Sequence, residues 1–160
     1  MIPVLFTTGK KPNRAARAIA RALSLAVPES ALESRGKRTL ASLISKAKKR
    51  HFTRLCSVYC SQGKPSEIEF LAIGDDGSWS RLAPAILVKT STFSPKFPRR
   101  QSTRLALSGS KAKSLSRLLS PKNHDADGEE NGSRIVAGAK TLAIFMGKKK
   151  IASLGVSYEK

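Results

Sequence analysis

The stretch VLFTTGKKPNRAARAIARALSLAV, residues 4–27, determines how the rest of the sequence is interpreted. Its first three residues are apolar and predict a short buried strand. The next six residues, at 7–12, form a polar loop that contains two lysines and a proline. Asn13 is a favoured N-cap residue, which predicts that a helix begins there. The helix is rich in Ala and Arg and is expected to run to about Ala26, because Pro28 cannot continue it.

The predicted helix has two chemically different faces when its residues are placed about 100° apart around the axis. One face is apolar and suits a protein core; it consists of Ala16, Ile19, Leu23 and Val27. The opposite face is a row of guanidinium groups, those of Arg14, Arg17 and Arg21. The sequence therefore predicts a helix that packs on the core with one side and presents a basic row to a partner with the other.

The composition of the chain is dominated by positive charge. Its 160 residues include 30 Lys and Arg against 11 Asp and Glu, which gives a formal net charge of +19. Hydrophobic residues make up 40% of the sequence, so the chain can bury a core, which excludes full-length disorder. The excess charge favours a polyanionic partner, nucleic acid first and an anionic membrane second. Residues 1–65 contain 14 of the basic residues but only two acids, Glu29 and Glu33.

Targeting signals and cysteines indicate the compartment. The N-terminal region lacks the basic segment and apolar run of a secretory signal, and no apolar stretch approaches the roughly 20 residues needed to span a bilayer. We therefore expect a soluble, cytoplasmic protein with no membrane partner. Cys56 and Cys60 are too few for a disulfide framework, and their spacing on a strand predicts core packing.

Periodicity, caps and turn residues predict the remaining elements. Two further helices are expected, from Thr39 to about Lys49 and from Ser110 to about Leu119. Further strands are expected at residues 52–60, 67–73, 79–90, 141–146 and 151–157. The connections are a hairpin loop at 62–66, a turn at 75–78, a basic proline-containing loop at 93–104, an acidic surface loop at 123–133 and a basic hairpin tip at 147–150.

The order of the predicted elements repeats along the chain. The first half has a strand, a basic proline-containing loop, a helix and a hairpin. The second half has the same order in a strand at 86–90, the loop at 93–104, the helix at 110–119 and the final hairpin. This repeat predicts a single α/β domain of two related halves, approximately residues 1–78 and 79–160.

The candidate segments for catalysis or metal binding do not match known motifs. Neither of the two histidines lies in a nucleophile motif. The acidic segment that begins at His124 fails the calcium-loop pattern, because the sixth position from Asp125 is Glu130 instead of glycine. The segment GSRIVAGAKT at 132–141 fails the Walker pattern, because Ala139 separates the second glycine from the lysine and no strand is predicted before it. We therefore expect no enzymatic activity, no cofactor and no metal.

The basic residues form four local sets in loops or on helix faces. The predicted RNA contacts in three of them are Lys10, Lys11, Arg14, Arg17 and Arg21; Arg35, Lys37 and Arg38; and Lys96, Arg99, Arg100 and Arg104. The tip of the final hairpin is the fourth set. Arginine donates two hydrogen bonds to one phosphate, and a helix N-terminus adds unpaired backbone N–H groups. Phe93 and Phe97 are the aromatic residues best placed to stack on bases, with packing inside the protein as the alternative for either one.

RNA binding without catalysis is therefore the predicted function. Two alternatives remain open: a structural basic ribosomal protein, and an enzyme that modifies or cleaves RNA. DNA is a weaker rival as the nucleic-acid partner. Because phosphate contacts position a protein without reading sequence, the basic sets by themselves do not specify which RNA is bound.

Two segments resemble motifs of a known family. The residues TTGKKPNR at 7–14, with the helix that follows, resemble the N-terminal motif of Brix-domain proteins, approximately Thr-Ser/Thr-Ser-Arg-x-Pro-Ser before a basic helix. Arg-Gly-Lys at 35–37, followed by Thr39 and a helix, resembles the next segment of that family. The motif match covers about residues 4–45, and the length and element order are similar to those of the compact, stand-alone archaeal members.

The resemblance implies a function in ribosome biogenesis and ribosomal RNA processing. It implies ribosomal RNA or its precursor as the partner, with other ribosome assembly proteins as further partners. The family's fold is an α/β arrangement of two similar halves, each like the anticodon-binding domain of class IIa aminoacyl-tRNA synthetases. Two positions differ from the motif: Lys10 stands where the family usually has Arg, and Asn13 replaces the usual Ser.

Overall fold

The computed structural model describes residues 4–119 and 132–159, which form three helices and one nine-stranded sheet. The helices are α1 (Arg14–Ala26), α2 (Leu40–Lys49) and α3 (Ala112–Leu119). The strands are β1 (Val4–Thr8), β2 (Ala31–Leu32), β3 (Arg54–Ser61), β4 (Lys64–Ile73), β5 (Trp79–Phe93), β6 (Leu105–Ser108), β7 (Ser133–Ala137), β8 (Thr141–Met146) and β9 (Lys149–Glu159).

The sheet is mixed, with the strand order β2-β1-β3-β4-β5-β9-β8-β7-β6. Strand β5 is 15 residues long and lies at the centre. Its first part pairs with β4 and its last part pairs with β9, so one strand joins the two sides of the sheet. A 15-residue strand is longer than most. This length allows β5 to pair with β4 and with β9 along different parts of the strand.

The strand pairings repeat on the two sides of β5. On one side β1 pairs in parallel with β3, and β3, β4 and β5 then pair antiparallel. On the other side β6 pairs in parallel with β7, and β7, β8 and β9 then pair antiparallel. In both runs a helix follows the first strand, α1 after β1 and α3 after β6. The protein is therefore a mixed α/β fold in which one topology occurs twice.

The helices lie on both faces of the sheet. Side chains alternate between the faces of a strand. Phe6 of β1 belongs to a large core with α1 and α3, whereas its neighbour Leu5 belongs to a smaller core with α2. Helices α1 and α3 thus cover one face, and α2 covers part of the other. The side chain of Phe6 is fully buried, and burying a side chain of that size contributes roughly 1.5–3 kcal/mol.

The elements predicted around residues 4–49 are confirmed. Strand β1 and helices α1 and α2 lie where caps and periodicity placed them. The apolar face predicted for α1 is buried: Ala16, Ile19, Leu23 and Val27 are each at most 2% exposed. Cys56 and Cys60 share a strand face, and both pack with the large core as predicted. Burial raises the pKa of the Cys56 thiol, because the thiolate would lose its hydration there.

Strands β6 and β7 were not predicted from the sequence, and they change which strand of the second half corresponds to β1. The predicted second half began with a strand at 86–90, but that segment is part of the shared strand β5. The strand that precedes α3 is β6, and its parallel neighbour is β7. They are four and five residues long, too short for periodicity to separate them from loop or helix. The two-residue strand β2 was not predicted either.

Two hairpins are tighter than predicted. The loop expected at 62–66 is a two-residue turn, because Ser61 pairs with Lys64. Gln62 and Gly63 both have positive φ, 53° and 76°, as two-residue hairpin turns of this kind require. The final tip is likewise shorter, since Lys149 already pairs with Met146. The acidic loop expected at 123–133 lies outside the described residues except for its last two positions, of which Ser133 begins β7.

Candidate nucleic-acid interface

The basic row predicted on α1 is exposed. Asn13 caps the helix, because its side-chain Oδ1 accepts a hydrogen bond from the Ala16 amide at 2.8 Å. The first turn contains no acidic side chain to neutralise the row. Arg14, Arg17 and Arg21 all point away from the core. An exposed row beside a capped helix N-terminus suits an anionic ligand.

The row forms one wall of a groove of about 800 Å³. The opposite wall is the end of β5 and the loop after it. We call this feature the basic aromatic groove; it is lined by Arg14, Ala15, Arg17, Ala18, Arg21, Ser91, Thr92, Phe93, Ser94, Pro95 and Phe97. The structure thus brings together two predicted sites that are about 75 residues apart in sequence, the α1 row and the loop at 93–104.

Aromatic rings lie within reach of the arginines in this groove. The guanidinium carbon of Arg21 is 5.4 Å from the centroid of the Phe97 ring, within the range of a cation–π contact. The Phe93 and Phe97 ring centroids are 6.3 Å apart, with the rings tilted by 60°. Both rings are partly buried and pack against the large core. The two aromatic residues predicted for base stacking are therefore neighbours and are held in place.

Hydrogen bonds fix the groove's second wall to α1. The last carbonyl groups of a helix have no partner within the helix. In α1 distant residues supply the partners: Gln101 Nε2 donates to Ser24 O at 2.7 Å, Ser102 N to Leu25 O at 2.8 Å, and Ser133 Oγ to Ala26 O. The loop at 93–104 is therefore attached to the helix whose arginines it faces.

The tip of the final hairpin extends the basic surface. A second pocket, of about 440 Å³, is lined by Lys96, Phe97, Pro98, Gly132, Met146, Gly147, Lys149 and Ile151. Phe97 belongs to both pockets, so the second continues from the basic aromatic groove. Lys149 Nζ donates to Lys96 O at 3.2 Å. Members of three of the four predicted basic sets therefore meet along these two connected pockets.

Several predicted contacts lie outside the lining of this groove. Lys10, Lys11, Arg99, Arg100 and Arg104 are exposed, but none of them lines the groove. The loop before α1 is nevertheless ordered by tertiary hydrogen bonds. Gly9 N donates to Val58 O at 3.0 Å, and Cys60 Sγ donates to Lys11 O at 2.9 Å.

The set at 35–38 lies elsewhere, next to α2. Arg38 forms an ion pair with Glu33, to which Lys46 of α2 also binds at 2.6 Å. Lys46 and Arg38 hold the pKa of Glu33 below its usual value by donating hydrogen bonds to the carboxylate. Because α2 covers the face opposite α1, the structure does not bring this set to the basic aromatic groove.

Arg35 differs from the other predicted contacts because it is buried. Its side chain is 6% exposed, and its Nε donates to Arg38 O at 2.8 Å. The guanidinium lies close to Tyr59 of β3. Lys37, two residues on, is exposed. A guanidinium held inside the fold supports the loop at 35–38 and does not present its fork at the surface.

Among the described residues, a catalytic or metal site would be indicated by titratable groups with perturbed pKa values or by clusters of ligating side chains. Glu69 is the one carboxyl group there with a raised pKa, because it is 5% exposed and burial disfavours its charge. It pairs with Arg81 at 2.8 Å. The described part of the chain contains no group of three or more His, Cys, Asp or Glu side chains that could hold a metal. The acidic residues 124–130 lie outside it.

Neither a sequence match nor, within the described residues, a membrane-spanning helix was found. No family model and no curated protein matches the sequence. No helix within residues 4–119 and 132–159 is long and apolar enough to cross a membrane.

The fold is shared with solved structures. A probable ribosomal biogenesis protein from Aeropyrum pernix K1 matches with a TM-score of 0.79 and 18% identity, over 98% of this chain and 96% of that one. Mil, an archaeal Imp4-like protein, matches with a TM-score of 0.71 and 19% identity, over 98% of both chains. The resemblance to Brix-domain proteins predicted from the sequence is therefore confirmed as a resemblance of fold.

Proposed function

We propose that this chain is a non-catalytic ribosome assembly factor of the Brix-domain type that binds ribosomal RNA or its precursor. The observation that supports RNA binding most directly is the basic aromatic groove, where three arginines face two phenylalanines. The biological setting is supported by the shared fold with a probable ribosomal biogenesis protein and with an Imp4-like protein.

The proposed mechanism is electrostatic positioning. Arg14, Arg17 and Arg21 donate to phosphates from one wall, and Lys96 and Lys149 extend the contact towards the final hairpin. Lys10, Lys11, Arg99, Arg100 and Arg104 are proposed as flanking phosphate contacts. Lys37 and Arg38 provide a separate contact beside α2, and Arg35 supports their loop from within. No bond in the RNA is made or broken, so neither cofactor nor metal is needed.

We also propose that the two halves, approximately residues 1–78 and 79–160, are each similar to the anticodon-binding domain of class IIa aminoacyl-tRNA synthetases. The repeated order of strand pairings supports this. A factor of this kind works where ribosomal subunits are assembled. We therefore expect it in the cytoplasm, with other ribosome assembly proteins as further partners.

Salt dependence of binding tests the electrostatic mechanism. A fluorescent ribosomal RNA fragment is titrated with the protein between 50 and 200 mM salt, and the logarithm of the affinity is plotted against the logarithm of the salt concentration. With six or more phosphates contacted, affinity should fall by roughly 10³-fold or more over this range. Little change in affinity would contradict the proposal.

A triple variant locates the contact. Arg14→Gln, Arg17→Gln and Arg21→Gln together should flatten the salt slope by about 2–3, since each phosphate contact contributes roughly 0.7–0.9. The fold should persist, because all three side chains are exposed. The matched control removes the same charge at the exposed residues Lys48, Lys49 and Lys140. If the two triple variants lose the same affinity, net charge and not the groove determines binding.

Two further measurements separate the alternative functions. A transient assembly factor should cofractionate with precursor particles and be missing from mature subunits, whereas a structural ribosomal protein should be present in mature subunits. An RNA-modifying or RNA-cleaving enzyme should convert a labelled ribosomal transcript with turnover. Binding without turnover, together with precursor-only fractionation, is the outcome that we expect.

A further inference from the structure

We infer that the basic aromatic groove selects unpaired RNA, by stacking an exposed base on Phe97 while the α1 arginines hold the adjoining phosphates. This inference rests on the RNA binding proposed above and adds the class of RNA that the groove accepts. It concerns the Phe97 ring, its neighbours Phe93 and Arg21, and the shape of the cleft around them.

The Phe97 ring is accessible to a ligand. Phe97 is partly exposed and lines both neighbouring pockets, so its surface is open to a ligand. Phe93 supports it from 6.3 Å at an angle of 60°, which fixes the ring without covering it by a parallel stack. The guanidinium of Arg21 lies over the Phe97 ring, with its carbon 5.4 Å from the ring centroid.

A base can enter between Phe97 and Arg21 if the arginine side chain moves. A base between two planar groups needs about 7 Å, since each stacked layer takes about 3.5 Å. Arg21 is therefore about 2 Å too close to Phe97 for a base to enter between them. Its side chain is exposed and long, so it can move outward and cover the base from the other side. Arginine planes and aromatic rings are the two protein groups on which unstacked bases commonly lie.

The basic aromatic groove does not suit duplex RNA. In a double helix the base faces are covered by neighbouring base pairs, and only edges, sugars and phosphates reach the surface. An aromatic ring within a concave cleft therefore cannot stack on a base of a duplex. The arginine row from Arg14 to Arg21 extends about 10 Å along the helix, at 1.5 Å per residue. It can follow a short stretch of backbone while Phe97 takes a base from that stretch.

The groove should read sequence only weakly. The hydroxyl of Ser94 donates to Lys96 O at 3.1 Å, and that of Thr92 donates to Ser153 O at 3.4 Å. These donors are already directed at backbone carbonyls and do not define a pattern for base edges. Preferences among bases should therefore follow stacking strength, which is modest and sequence-tolerant.

The test compares single-stranded and duplex RNA of equal length by fluorescence anisotropy at the same series of salt concentrations. The unmodified protein should bind the single strand at least about tenfold more tightly than the duplex. Phe97→Leu keeps an apolar side chain for the core but removes the aromatic face. It should weaken single-strand binding roughly 5- to 100-fold, leave duplex binding nearly unchanged and leave the salt slope intact. Phe97→Trp should restore tight binding.

Phe145→Leu is the matched control. Phe145 is also partly exposed and also lies beside cations, with Arg134 at 4.5 Å and Lys150 at 5.9 Å from its ring centroid. It pairs across from Arg134, next to Met146, whose side chain faces the large core, so Phe145 points to the other face of the sheet. Its removal should leave single-strand binding unchanged.

A direct readout of stacking is also possible, because the chain contains one tryptophan, Trp79. In a Trp79→Phe, Phe97→Trp double variant the new indole is the sole tryptophan. Single-stranded RNA should quench its fluorescence, and the duplex should not.

The inference would be overturned by duplex binding as tight as single-strand binding, by an unchanged affinity in Phe97→Leu, or by equal losses in Phe97→Leu and Phe145→Leu. Displacement of the RNA by poly-glutamate as readily as by unlabelled single strand would also overturn it, in favour of an acidic protein partner. If neither RNA binds at all, the proposed function itself fails, which is a different result from binding without strand preference.

Discussion

At the scale of single residues, the same side chain has different roles in different surroundings. Arg35 and Arg21 were both predicted to contact RNA because both lie in basic stretches. Arg21 is exposed above an aromatic ring, whereas Arg35 is 6% exposed and donates to a backbone carbonyl. A guanidinium that is enclosed by protein cannot present its fork to a phosphate at the surface, so burial and not residue type determines which arginines can reach phosphate.

Glu33 illustrates how one acid stabilises a basic region. It is surrounded by Arg38, Lys46 and Arg50, and its pKa is lowered in the folded protein. A carboxyl group with a depressed folded pKa contributes stability above its unfolded pKa, about 4.3, and loses that contribution as the pH falls through the folded value. Without its charge, the three cations would repel one another.

We therefore expect Glu33→Gln to lower the free energy of unfolding at pH 7 by about 1 kcal/mol. The difference from the unmodified protein should shrink as the pH falls below about 4, because the native carboxylate is then protonated as well. Urea unfolding at several pH values measures both effects. The control is Glu29→Gln at an exposed position, which should change stability by less than about 0.5 kcal/mol. A difference that does not depend on pH would rule out the ion-pair explanation.

At the scale of elements, α1 depends on residues far from it in sequence. Its N-terminus is capped locally by Asn13, as the sequence predicted. Its C-terminus is completed by a residue about 75 positions further along the chain, because Gln101 Nε2 reaches the carbonyls of Ser24, Val27 and Ser30 at 2.7, 3.1 and 2.8 Å. The same contacts determine where the loop at 93–104 lies and therefore the width of the basic aromatic groove.

Replacing Gln101 by Ala tests this dependence. The free energy of unfolding should fall by about 0.5–1 kcal/mol, since carbonyls at the end of α1 lose one donor. The loss is small because the Ser30 hydroxyl still donates to the carbonyls of Ser24 and Val27. RNA affinity should also fall, because the second wall is no longer attached firmly to α1. Hydrogen exchange at the Ser102 amide, which donates to Leu25 O, should accelerate. Thr103→Ala, at an exposed neighbour in the same loop, is the control and should change none of the three measurements. Unchanged exchange at Ser102 in Gln101→Ala would contradict the proposed attachment.

At the scale of the whole molecule, the net charge of +19 has two opposite consequences. Like charges within one compact protein repel and reduce its stability, while the same charges attract RNA. Salt screens both interactions, since the Debye length falls from about 10 Å at 0.1 M to about 3 Å at 1 M. Stability and RNA affinity should therefore respond to salt in opposite directions.

We expect the free energy of unfolding to rise by about 1 kcal/mol between 50 and 500 mM NaCl, or roughly 2–4 °C in Tm. RNA binding should weaken over the same range. Thermal unfolding without RNA measures the first effect. The Lys48→Gln, Lys49→Gln, Lys140→Gln variant has three fewer positive charges and should gain less from added salt. An equal gain in both proteins would assign the effect to general salting-out instead of charge screening.

Local sequence was sufficient for part of this fold. The caps at Asn13 and Thr39, the apolar faces of α1 and α2, and the outline of β3, β4, β5, β8 and β9 were predicted correctly, because each depends on neighbours a few residues apart. The short strands β2, β6 and β7 were not predicted. Runs of two to five residues have no measurable period, and they become strands only because a neighbouring strand supplies hydrogen bonds.

The sequence by itself determined that the chain is basic, that it can bury a core, and that α1 has three arginines opposite its apolar face. It also identified Phe93 and Phe97 as candidates for stacking. Only the tertiary structure decided that these arginines and rings share one groove, that the set at 35–38 lies next to the helix on the opposite face, and that Arg35 is enclosed. The physical reason is that charge, caps and periodicity act over a few residues. The groove instead depends on hydrogen bonds and packing between residues about 75 positions apart, which exist only once the sheet has formed.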